Sequence, residues 1–129
     1  MSRINHGIAG QLTDFSRAFN SNDVAEAAKY VTDDFVWIYY EGSDGPEGRV
    51  IHGIEAACAA VAERASRLSR AIAFTESREY QCDQRVFVTY RASGAFRDSG
   101  AFDVRAIDIY TFRNDRLASK DTYWKNITR

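Results

Sequence analysis

The order of apolar and polar positions predicts helices in the first half of the chain and strands in the second half. Apolar side chains recur at helical spacing in residues 8–19, 24–31 and 53–68. Residues 1–6 are expected to form a short tail. Asn22 or Asp23 should cap the second helix, because short polar side chains compete with the backbone inside helices and favour their first turn. The short turn between the first two helices predicts a helical hairpin.

The strand signals begin at residues 35–40, which are almost entirely β-branched or aromatic, and residues 49–52 predict a second, brief strand. Glycines and the single proline predict a turn at residues 41–48, and the Gly42–Gly48 loop is where a mobile lid would fit. Four further strands are predicted at 72–81, 85–92, 102–113 and 117–124, with a loop at 94–100. Short links between consecutive strands indicate an antiparallel sheet, and the early helices indicate the α+β class.

Length and charge narrow the protein class. The 129 residues fit one domain, residues 1–129, with enough chain for one substantial core. The net charge is −1 and no block of like charges occurs, so the sequence predicts neither nucleic-acid nor membrane binding. Cys58 and Cys82 lack metal-ligand spacing and are expected to be reduced and buried. In the absence of an export signal, a cytoplasmic location is expected.

One carboxylate stands out from the strand pattern. Asp108 shares a strand face with apolar residues, among them Val104 and Tyr110. A carboxylate in such surroundings is paired, protonated or directed into a pocket where it has a chemical role. Two interpretations remain open: a functional group of a pocket, or a carboxylate satisfied by Arg91 or Arg105 from a nearby strand.

Several short motifs, taken in order, resemble the nuclear-transport-factor-2-like superfamily, and within it the SnoaL-like polyketide cyclase group. The resemblance covers about residues 8–125 and implies a cone, in which a curved antiparallel sheet wraps around three helices and encloses an apolar pocket. It also implies a homodimer formed through the outer sheet face. Because this fold serves several reactions and also non-catalytic proteins, it does not define the function. The motifs are Asn22-Asp23, Val31–Trp37, His52–Ala57, Asp108–Phe112 and Leu117–Trp124.

The resemblance also implies roles for single residues. Asp108 lies where ketosteroid isomerase has an aspartic acid that donates a hydrogen bond from its neutral form. Phe15 replaces that enzyme's catalytic tyrosine and Tyr39 replaces its general-base aspartate, so steroid isomerisation by that mechanism is not expected. Aromatic side chains suit a pocket for a flat or cyclic ligand. The residues expected to contact the ligand are Tyr39, Tyr90, Tyr110, Trp124 and Phe15.

Two further residues are candidates for proton transfer. Asp121 on the last strand could be the general base, as the resemblance to cyclases implies, but the strand alternation does not establish which face it occupies. His52 could be an acid or base, because histidine exchanges protons near neutral pH, or it could fix the start of the third helix. Two histidines are too few for a three-histidine metal site, and neither a metal nor a cofactor is expected.

Three functional hypotheses follow. The first is a cofactor-independent lyase, isomerase or cyclase acting on a hydrophobic, cyclic or polyketide-like compound, with Asp108, Asp121 and His52 as catalytic candidates. The second is a protein that binds the same kind of small molecule without turnover. The third is an interaction domain that uses its sheet face in a homodimer. The enzyme hypothesis requires two titratable groups that converge in one pocket.

Overall fold

Three helices precede the long strands of the fold. The computed structural model describes residues 2–40 and 47–125, and the side chains from residue 8 onward. Helix α1 spans Ser2–Asn20, α2 spans Val24–Ala28 and α3 spans Ile54–Ser66. The predicted tail is therefore helical from Ser2. The Asp23 carboxylate caps α2 by accepting a 3.2 Å hydrogen bond from the Glu26 amide, as the composition of this turn predicted.

The strands are longer than the sequence pattern suggested. They comprise β1 Val31–Tyr40, β2 Arg49–His52, β3 Leu68–Cys82, β4 Arg85–Phe96, β5 Gly100–Arg113 and β6 Arg116–Trp124.

The prediction that the second helix reaches Val31 was wrong, because β1 already begins there. The predicted loop at 94–100 was also too long. Gly94 lies within β4, where a β-carbon would approach the Phe102 ring to 3.1 Å, so a residue without a side chain suits this position. The predicted Gly42–Gly48 lid falls largely on residues 41–46, outside the described residues.

The six strands form one curved sheet in the order β2-β1-β6-β5-β4-β3. The meander β3 to β6 is antiparallel, as predicted, and so is the β1–β2 pair. The β1–β6 pair is parallel, which the sequence reading did not anticipate. Parallel neighbours require a long crossover, and here all of β2 to β5 lies between the two strands in sequence. The α+β class and the cone architecture are confirmed.

The core lies between the helices and the inner sheet face. Helix α1 contributes a stripe that includes Leu12, Phe15 and Phe19, all 2% exposed or less. The Phe15 ring packs 5.2 Å from Phe19.

Cys58 is buried in this core, but Cys82 is exposed at the end of β3, so the prediction of two buried thiols was wrong for Cys82. In the described part of the chain, no helix has the length and apolar character needed to cross a membrane.

Candidate functional site

A cavity of about 290 Å³ lies between α1, the end of α3 and the inner faces of β1 and β3–β6. Its walls combine aromatic rings with charged and hydroxyl side chains. Both tryptophans of the chain, Trp37 and Trp124, contribute to it. The described lining residues are Leu12, Thr13, Ser16, Phe19, Asn20, Trp37, Arg64, Phe74, Ser77, Glu79, Val88, Tyr90, Asp108, Tyr110, Lys120, Thr122 and Trp124.

Asp108 lies in this cavity wall and is 5% exposed. The Tyr90 hydroxyl donates to its Oδ1 at 2.9 Å, and the Tyr110 hydroxyl donates to its Oδ2 at 3.1 Å. The indole N–H of Trp124 in turn donates to the Tyr90 oxygen at 3.3 Å. Asp108 therefore accepts two hydrogen bonds here, whereas the resemblance had implied a donor role.

The cation beside Asp108 is Lys120, whose Nζ lies 3.9 Å from Oδ2. The proposed arginine partners face elsewhere: Arg91 binds Asp103 and Glu76, and Arg105 binds Glu76. The pairing of Asp108 with an arginine was therefore a wrong alternative. A buried ion pair loses hydration on both sides, so a lysine at this position is an unusual choice for packing alone.

The Lys120 ammonium is enclosed by aromatic rings. Its Nζ lies 4.5 Å from the ring centre of Phe19, 5.0 Å from that of Trp37 and 5.7 Å from that of Tyr110. Ring faces carry partial negative charge and attract a cation at these distances. Burial nevertheless lowers the pKa of Lys120 from its usual value of 10.5, and the like charge of Arg64 acts in the same direction, while Asp108 opposes both.

The two phenols next to Asp108 hold their protons firmly. Burial, followed by the negative charge of Asp108, raises the pKa of Tyr90 above its usual value, and the same two causes raise the pKa of Tyr110. Both hydroxyls therefore remain donors throughout the physiological pH range. The arrangement places one proton acceptor, two weakly acidic donors and one ammonium around a single end of the cavity.

Strand register brings these residues together. Asp108 of β5 pairs with Thr122 of β6, and the adjacent pair on the same face joins Tyr110 to Lys120. Lys120 in turn pairs with Trp37 of β1. Facing residues of neighbouring strands lie within side-chain reach, which explains the contacts among them. The Trp37 indole donates to the Thr122 hydroxyl at 2.9 Å and braces this part of the wall.

Asp121 and His52 lie away from this group. Because side chains alternate along β6, Asp121 lies on the face opposite Lys120 and Thr122, among the half-buried residues of the outer sheet face. His52 is exposed at the end of β2. Neither belongs to the described lining of the cavity. The sequence analysis left the face of Asp121 open, and it is the neighbouring Lys120 that lies in the cavity wall.

Among the predicted ligand contacts, Tyr90, Tyr110 and Trp124 lie in the lining of the cavity. Neither Phe15 nor Tyr39 is among its described lining residues. Phe15 is 1% exposed and packs within the core. Tyr39 is half-buried and packs against Trp37, with the two ring centres 4.8 Å apart. The aromatic side chain that α1 contributes to the cavity is Phe19, one turn beyond Phe15.

Strand alternation in the sequence also indicates that Lys120 lies in the cavity. Trp124 was assigned to the cavity, and strand alternation then places Thr122 and Lys120 beside it and directs Asp121 outward. The apolar pattern obscured this because the register of β5 and β6 shifts between Thr111 and Phe112, which pair with Ser119 and Leu117. The extra residue, Ala118, forms a bulge that places Leu117 and Lys120 on one face.

In the described ranges 2–40 and 47–125, no group of three or more His, Cys, Asp or Glu side chains is arranged to hold a metal ion. The charged groups nearest to one another in the cavity wall are the Asp108 carboxylate and the Lys120 ammonium. The carboxylate and the ammonium face one space, which allows them to act on the same bound molecule.

Similar structures share the fold at low sequence identity. An NTF2-like protein from Burkholderia xenovorans is 22% identical, with a TM-score of 0.76 over 93% of this chain and 90% of that chain. A proposed polyketide cyclase from Xanthomonas campestris is 15% identical, with a TM-score of 0.72 over 95% and 93%. A protein of ketosteroid isomerase-like fold from Catenulispora acidiphila, solved with trimethylamine, is 14% identical, with a TM-score of 0.67 over 89% and 85%. At these identities the likeness concerns the fold.

The sequence itself gives a family assignment. No curated protein matches the chain significantly. The profile of the SnoaL-like domain matches residues 12–120, which include the second half of α1, all elements from α2 to β5 and the part of β6 that ends at Lys120. Since this match covers most of the chain, the protein belongs to the SnoaL-like domain family.

Proposed function

We propose that this protein is a cofactor-independent acid–base enzyme that acts on a small, largely hydrophobic cyclic compound. The observation that carries the proposal is the convergence of Asp108 and Lys120, both less than 10% exposed, on one cavity with 3.9 Å between them. Buried titratable groups that face a common cavity are typical of active sites. The alternative is a protein that binds such a compound without turnover.

The proposed chemistry is proton abstraction from carbon next to a carbonyl group. The C–H bond breaks, its proton moves to a carboxylate oxygen of Asp108, and the electron pair shifts through the new C=C bond to the carbonyl oxygen. Hydrogen-bond donors on the cavity wall stabilise that oxygen while the ring body lies against aromatic side chains. Lyase, isomerase and cyclase reactions share this first step.

The size of the cavity limits the substrate. A cavity of about 150 Å³ accommodates benzene, and this one measures about 290 Å³. One ring or two fused rings are therefore the expected body of the substrate. The relatives support a small ligand only in general terms, since one similar structure holds trimethylamine and another is a proposed polyketide cyclase.

Deuterium exchange tests the proposal without knowledge of the natural substrate. The protein should accelerate exchange of the protons next to the carbonyl of 1-tetralone, a two-ring ketone, in D₂O, as followed by proton NMR. Asp108→Asn should lower the protein-dependent rate by about 100-fold, which is the usual contribution of a general base. Asp98→Asn, an exposed position, is the matched control and should retain the wild-type rate.

The outcomes separate the hypotheses. Tryptophan emission should change on ligand binding, because both tryptophans line the cavity. Emission change without exchange would favour ligand binding without turnover. Exchange that is equal in wild type and Asp108→Asn would contradict the assignment of Asp108 as the base.

We further propose that the outer sheet face forms a homodimer. A row of neighbouring residues crosses this face from β4 to β2, and Asp121 is the only charged member. Its Oδ1 atom is buried and has no hydrogen-bond partner among the described residues. An apolar row with one desolvated carboxylate suits an interface more than a solvated surface. The row consists of Phe87, Ile109, Asp121, Ile38 and Val50.

Acidification should strengthen this dimer. Burial raises the pKa of Asp121, with Arg85 opposing, so the neutral form is favoured where the carboxyl is most desolvated. Further burial in the interface would raise this pKa again, so the stabilisation of the dimer is complete below the pKa of Asp121 in the monomer and is lost as the pH rises through its higher value in the dimer. Sedimentation equilibrium should give a dimer dissociation constant several-fold lower at pH 5 than at pH 7. Asp121→Asn should remove this pH dependence and Asp98→Asn should retain it; a monomer at both pH values would contradict the proposal.

A further inference from the structure

The Lys120 ammonium forms no hydrogen bond with any of the residues that the structure describes. It carries three N–H donors, and the nearest anion, the Oδ2 atom of Asp108, is 3.9 Å away, beyond hydrogen-bond distance. Among the groups that the structure describes, no other acceptor bonds to it. Its side chain is 10% exposed and lies in the wall of the cavity. Buried polar groups are nearly always satisfied, so the acceptors for these donors have to come from what fills the cavity.

We propose that Lys120 forms an anion subsite: its ammonium binds a carboxylate-type oxygen carried by a ligand of one or two rings. This inference rests on the proposed function, because it assigns the ligand class of the same cavity. It adds a binding role for a residue to which the sequence analysis gave none.

The charges around the inner end of the cavity favour an anion. The like charge of the half-buried Arg64 repels the Lys120 ammonium, and the Asp108 carboxylate attracts it. Glu79, the other acidic side chain of the lining, is exposed and hence screened by solvent. A negatively charged oxygen on the ligand would therefore be attracted by the buried Lys120 ammonium more strongly than it is repelled by Glu79.

The aromatic enclosure excludes the opposite ligand class. Phe19, Trp37 and Tyr110 would suit an organic cation, but the Lys120 ammonium already occupies their faces. A ligand cation placed against these three rings would be repelled by this buried positive charge. A ligand anion that enters the cavity would displace water from the ammonium, which strengthens the attraction between the two charges.

A charge series of ligands of nearly equal size tests the subsite. The probes are 2-naphthoate, 2-naphthamide and 2-naphthylmethylammonium, with dissociation constants from ligand-observed NMR at pH 7. Wild-type protein should bind 2-naphthoate about 10- to 100-fold more tightly than the amide, as expected for a charge-assisted hydrogen bond. The cation should bind most weakly. Lys120→Met should abolish the preference for the anion and change amide binding by less than about threefold.

Control variants keep the result interpretable. Lys29→Met, which removes an exposed lysine outside the cavity lining, should retain the wild-type order. If Lys120→Met does not fold, Lys120→Arg serves instead and should retain the preference for the anion. Equal affinity of wild-type protein for the anion and the amide would overturn the inference, and so would a preference that persists in Lys120→Met.

The two proposals fail in different ways. A preference for the anion without deuterium exchange would support the anion subsite and refute the acid–base enzyme. Deuterium exchange that depends on Asp108, without a preference for the anion, would support the acid–base enzyme and refute the anion subsite.

Discussion

Phe15→Ala should lower the free energy of unfolding by about 3–5 kcal/mol, the usual cost of removing a buried phenylalanine from a core. The side chain is 1% exposed, packs 5.2 Å from Phe19 and lies 6.0 Å from Phe35, measured between ring centres. The cost has two parts, namely lost apolar burial and the void left where α1 meets the sheet. Urea unfolding followed by circular dichroism would measure it.

The matched control is Phe74→Ala. Phe74 is 46% exposed and lines the cavity, so its truncation should cost about 1 kcal/mol or less. The pair distinguishes a core phenylalanine from a cavity phenylalanine: Phe15 should affect stability, and Phe74 should mainly affect ligand affinity. Equal losses in the free energy of unfolding for the two variants would contradict the assignment of Phe15 to the core.

Tyr110→Phe should lower the free energy of unfolding by about 1.5–3 kcal/mol, although it removes only one oxygen atom. That oxygen donates a 3.1 Å hydrogen bond to the buried Asp108 carboxylate. Without it, a buried acceptor loses one of its two phenol donors, and the penalty exceeds that of losing an exposed bond. Tyr30→Phe is the comparison, since its 3.1 Å bond to Glu26 lies at a more exposed site, and it should cost less than 1 kcal/mol.

A double-mutant cycle isolates the interaction between Tyr110 and Asp108. In an Asp108→Ala background the Tyr110 hydroxyl has lost its acceptor, so Tyr110→Phe should then be nearly neutral. The coupling energy should therefore approach the full 1.5–3 kcal/mol of the single change. If Tyr110→Phe were equally costly in both backgrounds, the loss would come from packing and not from the hydrogen bond.

The architecture was accessible from the sequence because each element has a strong local pattern. The stripe of Leu12, Phe15 and Phe19 defined α1, and alternation defined the meander from β3 to β6. The errors occurred where local pattern is weak, at element ends and in the partner choice of β1, whose parallel pairing with β6 depends on contacts between distant segments.

The candidate site was accessible only in part. The sequence determined that Asp108 shares a face with Tyr110, because residues two apart on a strand point the same way. Alternation from Trp124 also places Lys120 on the cavity face, but the bulge at Ala118, whose position the sequence pattern does not reveal, makes the apolar pattern of β6 irregular and hides this. The tertiary structure decided that Lys120 faces Asp108 while Asp121 faces outward, because strand register is fixed by hydrogen bonding between segments and by burial of one face, not by the strand's own sequence.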